Sequence, residues 1–169
     1  MKKYLLILAV LVFSGCTNAK SYELDDEWLP LKEIKQRSKM AALVVPSKSN
    51  ITTVSPYCYV TDLDYYLKLK PPGSVKFRSI MTHERIHAQR QEKTGVFSWV
   101  GQYMTDAKFA LAEEKIGYYH QMKLDGSLRP ENVASALSKY KIFTGGIVSY
   151  EDALTWARLV RSGQWHPKP

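Results

Sequence analysis

Thr82-His83-Glu84-Arg85-Ile86-His87 sets an H-E-x-x-H string inside a stretch whose flanks call for a helix. Pro71-Pro72-Gly73 breaks the chain ahead of it, Ser74 is a capping residue, and Gly95 stops it, so the spacing predicts a helix from Val75 to about Glu92. On such a helix, side chains at i and i+4 lie about 40° apart, so His83 and His87 leave one face toward one point. Zinc accepts imidazole nitrogen at ~2.0–2.1 Å, which suits that reach. Glu84 points about 100° away from His83, toward a water beside such an ion rather than the ion itself, which is the place of a general base. Residue frequencies put a chance occurrence of the string in well under ~1% of chains of this length. The blander readings are an ordinary histidine pair or a zinc site kept for structure. Glu84 argues against the second, because a structural site has no use for that carboxylate.

A catalytic zinc needs a third protein ligand and an open position. The next helical pattern, from about Ser98 to Lys123, offers Glu113 and Glu114. Stepping about 100° per residue from Glu114 places Val100, Tyr103, Ala107, Ala110, Leu111, Tyr118 and Gln121 within about 60° of it. Lys108, Ala112 and Lys115 fall well away, and Glu113 sits about 100° off near Asp106. Glu114 is thus central to the stripe that faces the core, and a carboxylate there is costly unless it is paired or binds metal. Ala107, Ala110 and Gly117 allow a close approach to the H-E-x-x-H helix. Glu114 is favoured over Glu113; the competing reading is a buried Glu paired with Arg85 or Arg90.

Around these two helices the chain reads as one α+β domain, mostly helical, with a small sheet or hairpin before the H-E-x-x-H helix. A short first helix is expected near Leu31 to Lys39. Ala41 to Val45, Ile51 to Val54 and Tyr57 to Thr61 read as strands, with Pro56 marking an edge or bulge. Pro130 opens a third helix to about Tyr140, Gly145-Gly146 breaks the chain, and Ser149-x-x-Asp152 starts a last helix to Arg161. Trp156, Leu154, Leu159 and Val160 form its expected core face. The organisation expected is a signal segment over 1–15, a tether with the short helix over 16–40, and the main domain over 41–169.

Of the 169 residues, 45% are apolar, enough for a real core. Lys2 and Lys3, the apolar run Tyr4 to Phe13, and Ser14-Gly15-Cys16 read as an export signal too short to span a bilayer. Phe13-Ser14-Gly15-Cys16 resembles a bacterial lipobox, with Phe13 where Leu is preferred. The resemblance implies that Cys16 becomes a lipidated first residue, and Thr17 after it implies the outer membrane, facing the periplasm. Without Lys2 and Lys3 the chain keeps 22 basic and 16 acidic residues, net +6. That charge is scattered, which argues for a solvated surface and against nucleic acid. Only Cys58 then remains, read as a small buried hydrophobe; a Cys16–Cys58 bridge is the alternative and would exclude lipidation.

His83-Glu84-Arg85-Ile86-His87 followed by Glu114-Lys115-Ile116-Gly117-Tyr118 resembles the gluzincin metallopeptidases, in particular small membrane-associated branches with an E-x-x-A-D or E-x-x-A-Y element. Gly117 stands where those have Ala. The resemblance covers roughly residues 75–122, and the Gly and third His of metzincins are absent after His87. It implies a zincin-like domain in which His83, His87 and Glu114 hold Zn2+, Glu84 is the base, and a protein or peptide is hydrolysed in the cell envelope. Tyr118, His120, Tyr103 and His166 are all open as oxyanion stabilisers. A hydrolase of cell-wall peptides and a non-catalytic lipoprotein that binds a partner are the alternative functions. An edge strand within Ile51 to Thr61 is a place for substrate to add as a strand.

Overall fold

The computed structural model describes residues 20–37, 51–142 and 145–167. The expected signal segment, Cys16 and the Ala41 to Val45 strand lie outside them. Four strands form one mixed sheet: β1 (Ser21–Glu23), β2 (Glu33–Gln36), β3 (Ile51–Val54) and β4 (Tyr57–Val60), in the order β1-β2-β4-β3. β2 runs antiparallel to β1 and parallel to β4, while β3 and β4 make an antiparallel hairpin with Thr53 opposite Cys58. The β-branched and aromatic run over 51–60 thus forms the strands expected of it, with Pro56 in the turn and β3 at the edge among the described residues.

Helices follow: α1 (Leu63–Leu69), α2 (Val75–Thr94), α3 (Val96–Thr105), α4 (Ala107–Leu124) and α5 (Pro130–Ser138). After a two-residue pair β5 (Lys141–Ile142) and β6 (Gly145–Gly146) comes α6 (Tyr150–Arg161). The fold is α+β and mostly helical, as expected. Ser74 caps α2 through its hydroxyl, accepting from the Phe77 N–H, and Ser149 caps α6 through the Asp152 N–H. No described helix is long and apolar enough to cross a membrane.

Several local readings need correction. Residues expected to be helical near Leu31 to Lys39 include β2. Leu31 and Ile34 have helical spacing, but Glu33–Gln36 gains a strand partner on each side, and that long-range pairing overrides the local pattern. Ser21–Glu23 and Glu33–Gln36 are therefore strands of the sheet rather than a tether, and Trp28 and Ile34 are buried in the cluster beneath it. The single helix expected over 98–123 is two. Asp106 is extended (φ −119°, ψ 107°), and its carboxylate accepts from the Lys108 and Phe109 N–H groups at 2.9 and 3.1 Å, starting α4 afresh. α1, started by the Asp62 side chain, was not expected. Gly145-Gly146 pairs as β6 rather than simply breaking the chain. Trp156 and Val160 face the core as expected and Leu154 packs against it, but Leu159 is exposed.

Two apolar clusters result. One lies between the sheet and α2, through Ile34, Cys58, Val60, Phe77, Met81 and Ala88. The other joins α3 to α6 around Trp99, Tyr103, Leu137 and Trp156. α2 divides them. One stripe (Phe77, Met81, Glu84, Ala88, Gln91) turns to the sheet side, and the next (His83, His87, Arg90) turns to α4. The polar residues of the H-E-x-x-H string thus lie along the seam between the two packed halves.

Candidate metal centre

His83, Glu84, His87 and Glu114 are all buried, none more than 7% exposed. His83 Nε2 and His87 Nε2 are 2.9 Å apart. Glu114 Oε2 lies 3.5 Å from the first and Oε1 3.4 Å from the second. One ligand atom from each of the three residues falls within 4.8 Å of the others. The helical pair and the acid from the neighbouring helix therefore converge, as their spacing predicts. Burial alone would raise the Glu114 carboxyl, but hydrogen bonds and charge from His83 and His87 hold it below the usual carboxylate range. For His83, burial lowers the basicity and Glu114 outweighs it, so the imidazole is raised.

The surroundings fix these side chains. His83 Nδ1 faces Gln121 Oε1 at 3.1 Å. With that carbonyl oxygen as acceptor, Nδ1 carries the proton and Nε2 keeps its lone pair. The Tyr103 hydroxyl donates to Glu114 Oε1. The Tyr118 ring meets His83 edge to face at 4.6 Å between centroids, and Trp99 lies 5.5 Å from His87. Burial, then the Glu114 charge, raises the phenols of Tyr103 and Tyr118, so both remain donors. Gly117 lets the α4 backbone lie against the His83 ring: a Cβ there would sit 2.5 Å from Nε2.

The donor set fits a metal. Two imidazole nitrogens and a carboxylate oxygen turned inward make an arrangement of lone pairs that repel unless a cation or a proton lies among them. Two nitrogens and one oxygen are also the ligand types zinc takes in catalytic sites. His87 Nδ1 is buried with no hydrogen-bond partner among the described residues.

Glu84 is turned toward the sheet. Its Oε2 accepts from the Thr53 hydroxyl at 2.6 Å, and the same hydroxyl lies 3.2 Å from Cys58 Sγ. Having one proton, Thr53 gives it to Glu84 and accepts from the thiol. Cys58 is free and buried, as expected, and burial raises its thiol.

Glu113, the alternative third ligand, is occupied elsewhere. Arg90 Nε and Nη2 grip its two oxygens at 2.6 and 2.7 Å, and Glu113 is 1% exposed. The ion pair weighed for Glu114 thus belongs to its neighbour, while Arg85 donates to the Glu27 carbonyl. Arg90→Met should lower stability by about 2 kcal/mol, a buried-pair loss reduced because the guanidinium is half exposed. Urea unfolding reads this, with metal content unchanged; pairing the change with Glu113→Leu should recover most of it.

Of the four candidate oxyanion residues, Tyr103 and Tyr118 touch the cluster. His120 and His166 instead engage Tyr119, whose hydroxyl is 3.0 Å from His166 Nδ1. Sequence reading gave no role to Thr53, Gln121 or Gln91. Gln121 was within reach of it, since it lies seven residues, two helical turns, beyond Glu114 on the same face. No family model, curated protein or solved structure matches the chain.

Proposed function

We propose that this protein is a gluzincin-type zinc metallopeptidase, held in the cell envelope by a lipid on Cys16. The observation that carries the reading is the buried convergence of His83, His87 and Glu114 with Glu84 on the adjoining face of the same helix. His83, His87 and Glu114 would hold the ion; Gln121 and Tyr103 orient His83 and Glu114 from behind. Bound there, zinc supplies Lewis acidity for the scissile carbonyl and lowers the pKa of water toward ~7. Glu84 takes a proton from the attacking water as its oxygen adds to the amide carbon. It returns that proton to the leaving nitrogen as the C–N bond breaks, giving a carboxylate and an amine. Thr53 keeps the Glu84 carboxylate aimed while this happens.

Metal analysis of the purified chain lacking residues 1–16 tests the proposal. The wild type should hold about one zinc per chain. His87→Ala should lose it at least about tenfold in affinity. A chain that takes up no divalent metal, or that binds zinc and cleaves no peptide, removes the reading; the second outcome leaves a partner-binding lipoprotein.

A further inference from the structure

α1 turns one face to the protein and the opposite face to solvent. Leu63 and Tyr66 are buried in the sheet-side cluster, and Leu67 packs at its margin. At about 100° per residue, Asp64, Tyr65, Lys68 and Leu69 point the other way. All four are exposed. Tyr65 is 46% and Leu69 42% exposed, and the two stand one turn apart on the same line. A single exposed apolar side chain is ordinary. A tyrosine and a leucine in line beside a lysine make a surface suited to a lipid bilayer. The tyrosine ring settles at headgroup level, the leucine reaches the acyl boundary, and the lysine lays its stem along apolar surface with its ammonium in water.

The path of the chain into the fold favours that partner. The Lys20 ammonium pairs with the Asp64 carboxylate on this same face. The backbone therefore passes the outward side of α1 just before β1 begins at Ser21. Ser21 is five residues from Cys16, and five residues span at most about 17 Å by any path. A lipid on Cys16 thus brings the bilayer close to α1. Phe97, in the first turn of α3, is 62% exposed and is the competing apolar position. It lies at the far end of α2. The Tyr22 ring of β1 meets Phe77 edge to face at 6.4 Å, and from Phe77 the helix continues to Thr94, about 25 Å along its axis. Charge does not oppose the seating: Lys20 and Lys68 offset Asp64 and the N-cap Asp62.

We propose that the outward face of α1 is the membrane-contact surface of the anchored protein, with Tyr65 and Leu69 seated among lipid headgroups. This rests on the lipidated Cys16 of the reading above and is independent of its zinc chemistry.

The full chain, expressed with residues 1–15 so that Cys16 can be processed, is placed in vesicles of phosphatidylethanolamine and phosphatidylglycerol. Tyr65→Cys, Leu69→Cys and Phe97→Cys each carry a nitroxide; Cys58 is free but fully buried and stays unlabelled. On vesicles, the labels at 65 and 69 should gain accessibility to oxygen, which concentrates in lipid, and lose accessibility to a water-soluble nickel complex. The label at 97 should stay as it is in buffer. The mass of the N-terminal peptide reads the lipid on Cys16 separately. Lipid present with positions 65 and 69 as open to nickel as 97 overturns the proposal alone. Labels at 65 and 69 shielded from both oxygen and nickel indicate a protein partner and overturn it too. Absence of lipid on Cys16 removes the anchor reading and the proposal with it. Should a label unsettle α1, amide exchange of the unlabelled chain reads the same contact. Asp64 to Leu69 should exchange more slowly on vesicles than in the chain lacking residues 1–16, while Val96 to Thr105 keeps its rates; equal rates in α1 overturn the proposal.

Discussion

Zinc-loaded Glu84→Gln should lose peptide hydrolysis by about 10²–10⁴-fold, the usual worth of a positioned general base, with zinc content as in the wild type. The separation of the two readouts is the point of the experiment. Glu84 leaves α2 toward the sheet, where its Oε2 meets Thr53, whereas the His83, His87 and Glu114 side chains meet between α2 and α4. A glutamine keeps the volume and an oxygen to accept the Thr53 proton, so the buried bond to Thr53 survives while the proton acceptor is lost. Loss of zinc in this variant would instead make Glu84 a ligand. Hydrolysis at the wild-type rate would remove it from the chemistry. Thr53→Val supplies the companion measurement: on the proposed mechanism it should lower kcat with little change in zinc affinity, because the hydroxyl bonds to Glu84 and not to His83, His87 or Glu114.

What was legible in the sequence follows from the length scale of each interaction. His83 and His87 share one helix, so their convergence is a local fact that periodicity captures. Glu114 was legible because a carboxylate among small residues at i±3, i±4 and i±7 has few explanations. Part of that argument, however, stepped across a break. Val100 and Tyr103 precede Asp106, where the helix is interrupted, so counting 100° per residue through it has no meaning. Ala107, Ala110, Gly117 and Gln121 within α4 suffice alone, and Tyr103 reaches Glu114 through the turn between helices instead. β2 was misread because its strand character comes from β1 and β4, the latter more than twenty residues away. Thr53 and Gln91 were invisible for the same reason: only the packing of the β3–β4 hairpin on α2 sets Thr53 against Glu84 and the Thr53 carbonyl against Gln91. Arg90 and Glu113 sit on two separate helices, and nothing in their spacing chose Glu113 over Glu114 as the arginine's partner.

Gly117→Ala should weaken zinc binding by about 10–100-fold, the usual cost of disturbing a residue that holds a ligand in place, and should lower rather than raise stability. The sign is the diagnostic part. Inside an exposed helix the same change stabilises by roughly 0.5–1 kcal/mol, because alanine loses less backbone freedom on folding. At position 117 the new Cβ would stand 2.5 Å from His83 Nε2, 2.6 Å from Cδ2 and 2.8 Å from Cε1. The ring has little room to yield. Its Nδ1 is held by Gln121, Tyr118 packs against its edge, and His87 and Glu114 face its Nε2. Either the ring swings away from the other two ligands or α4 backs off from α2 and carries Glu114 with it; both open the cluster. The gluzincin resemblance places a small Ala at this position, and this chain's helix packing admits less than that. Gly101→Ala is the matched control, since it lies within α3 and its Cβ would meet nothing within 4 Å. It should raise the urea midpoint while zinc affinity stays put. If Gly117→Ala behaves like Gly101→Ala, with a higher midpoint and zinc affinity within about twofold of wild type, then α4 does not pack on His83 as described. The assignment of Glu114 as third ligand would fall with that packing.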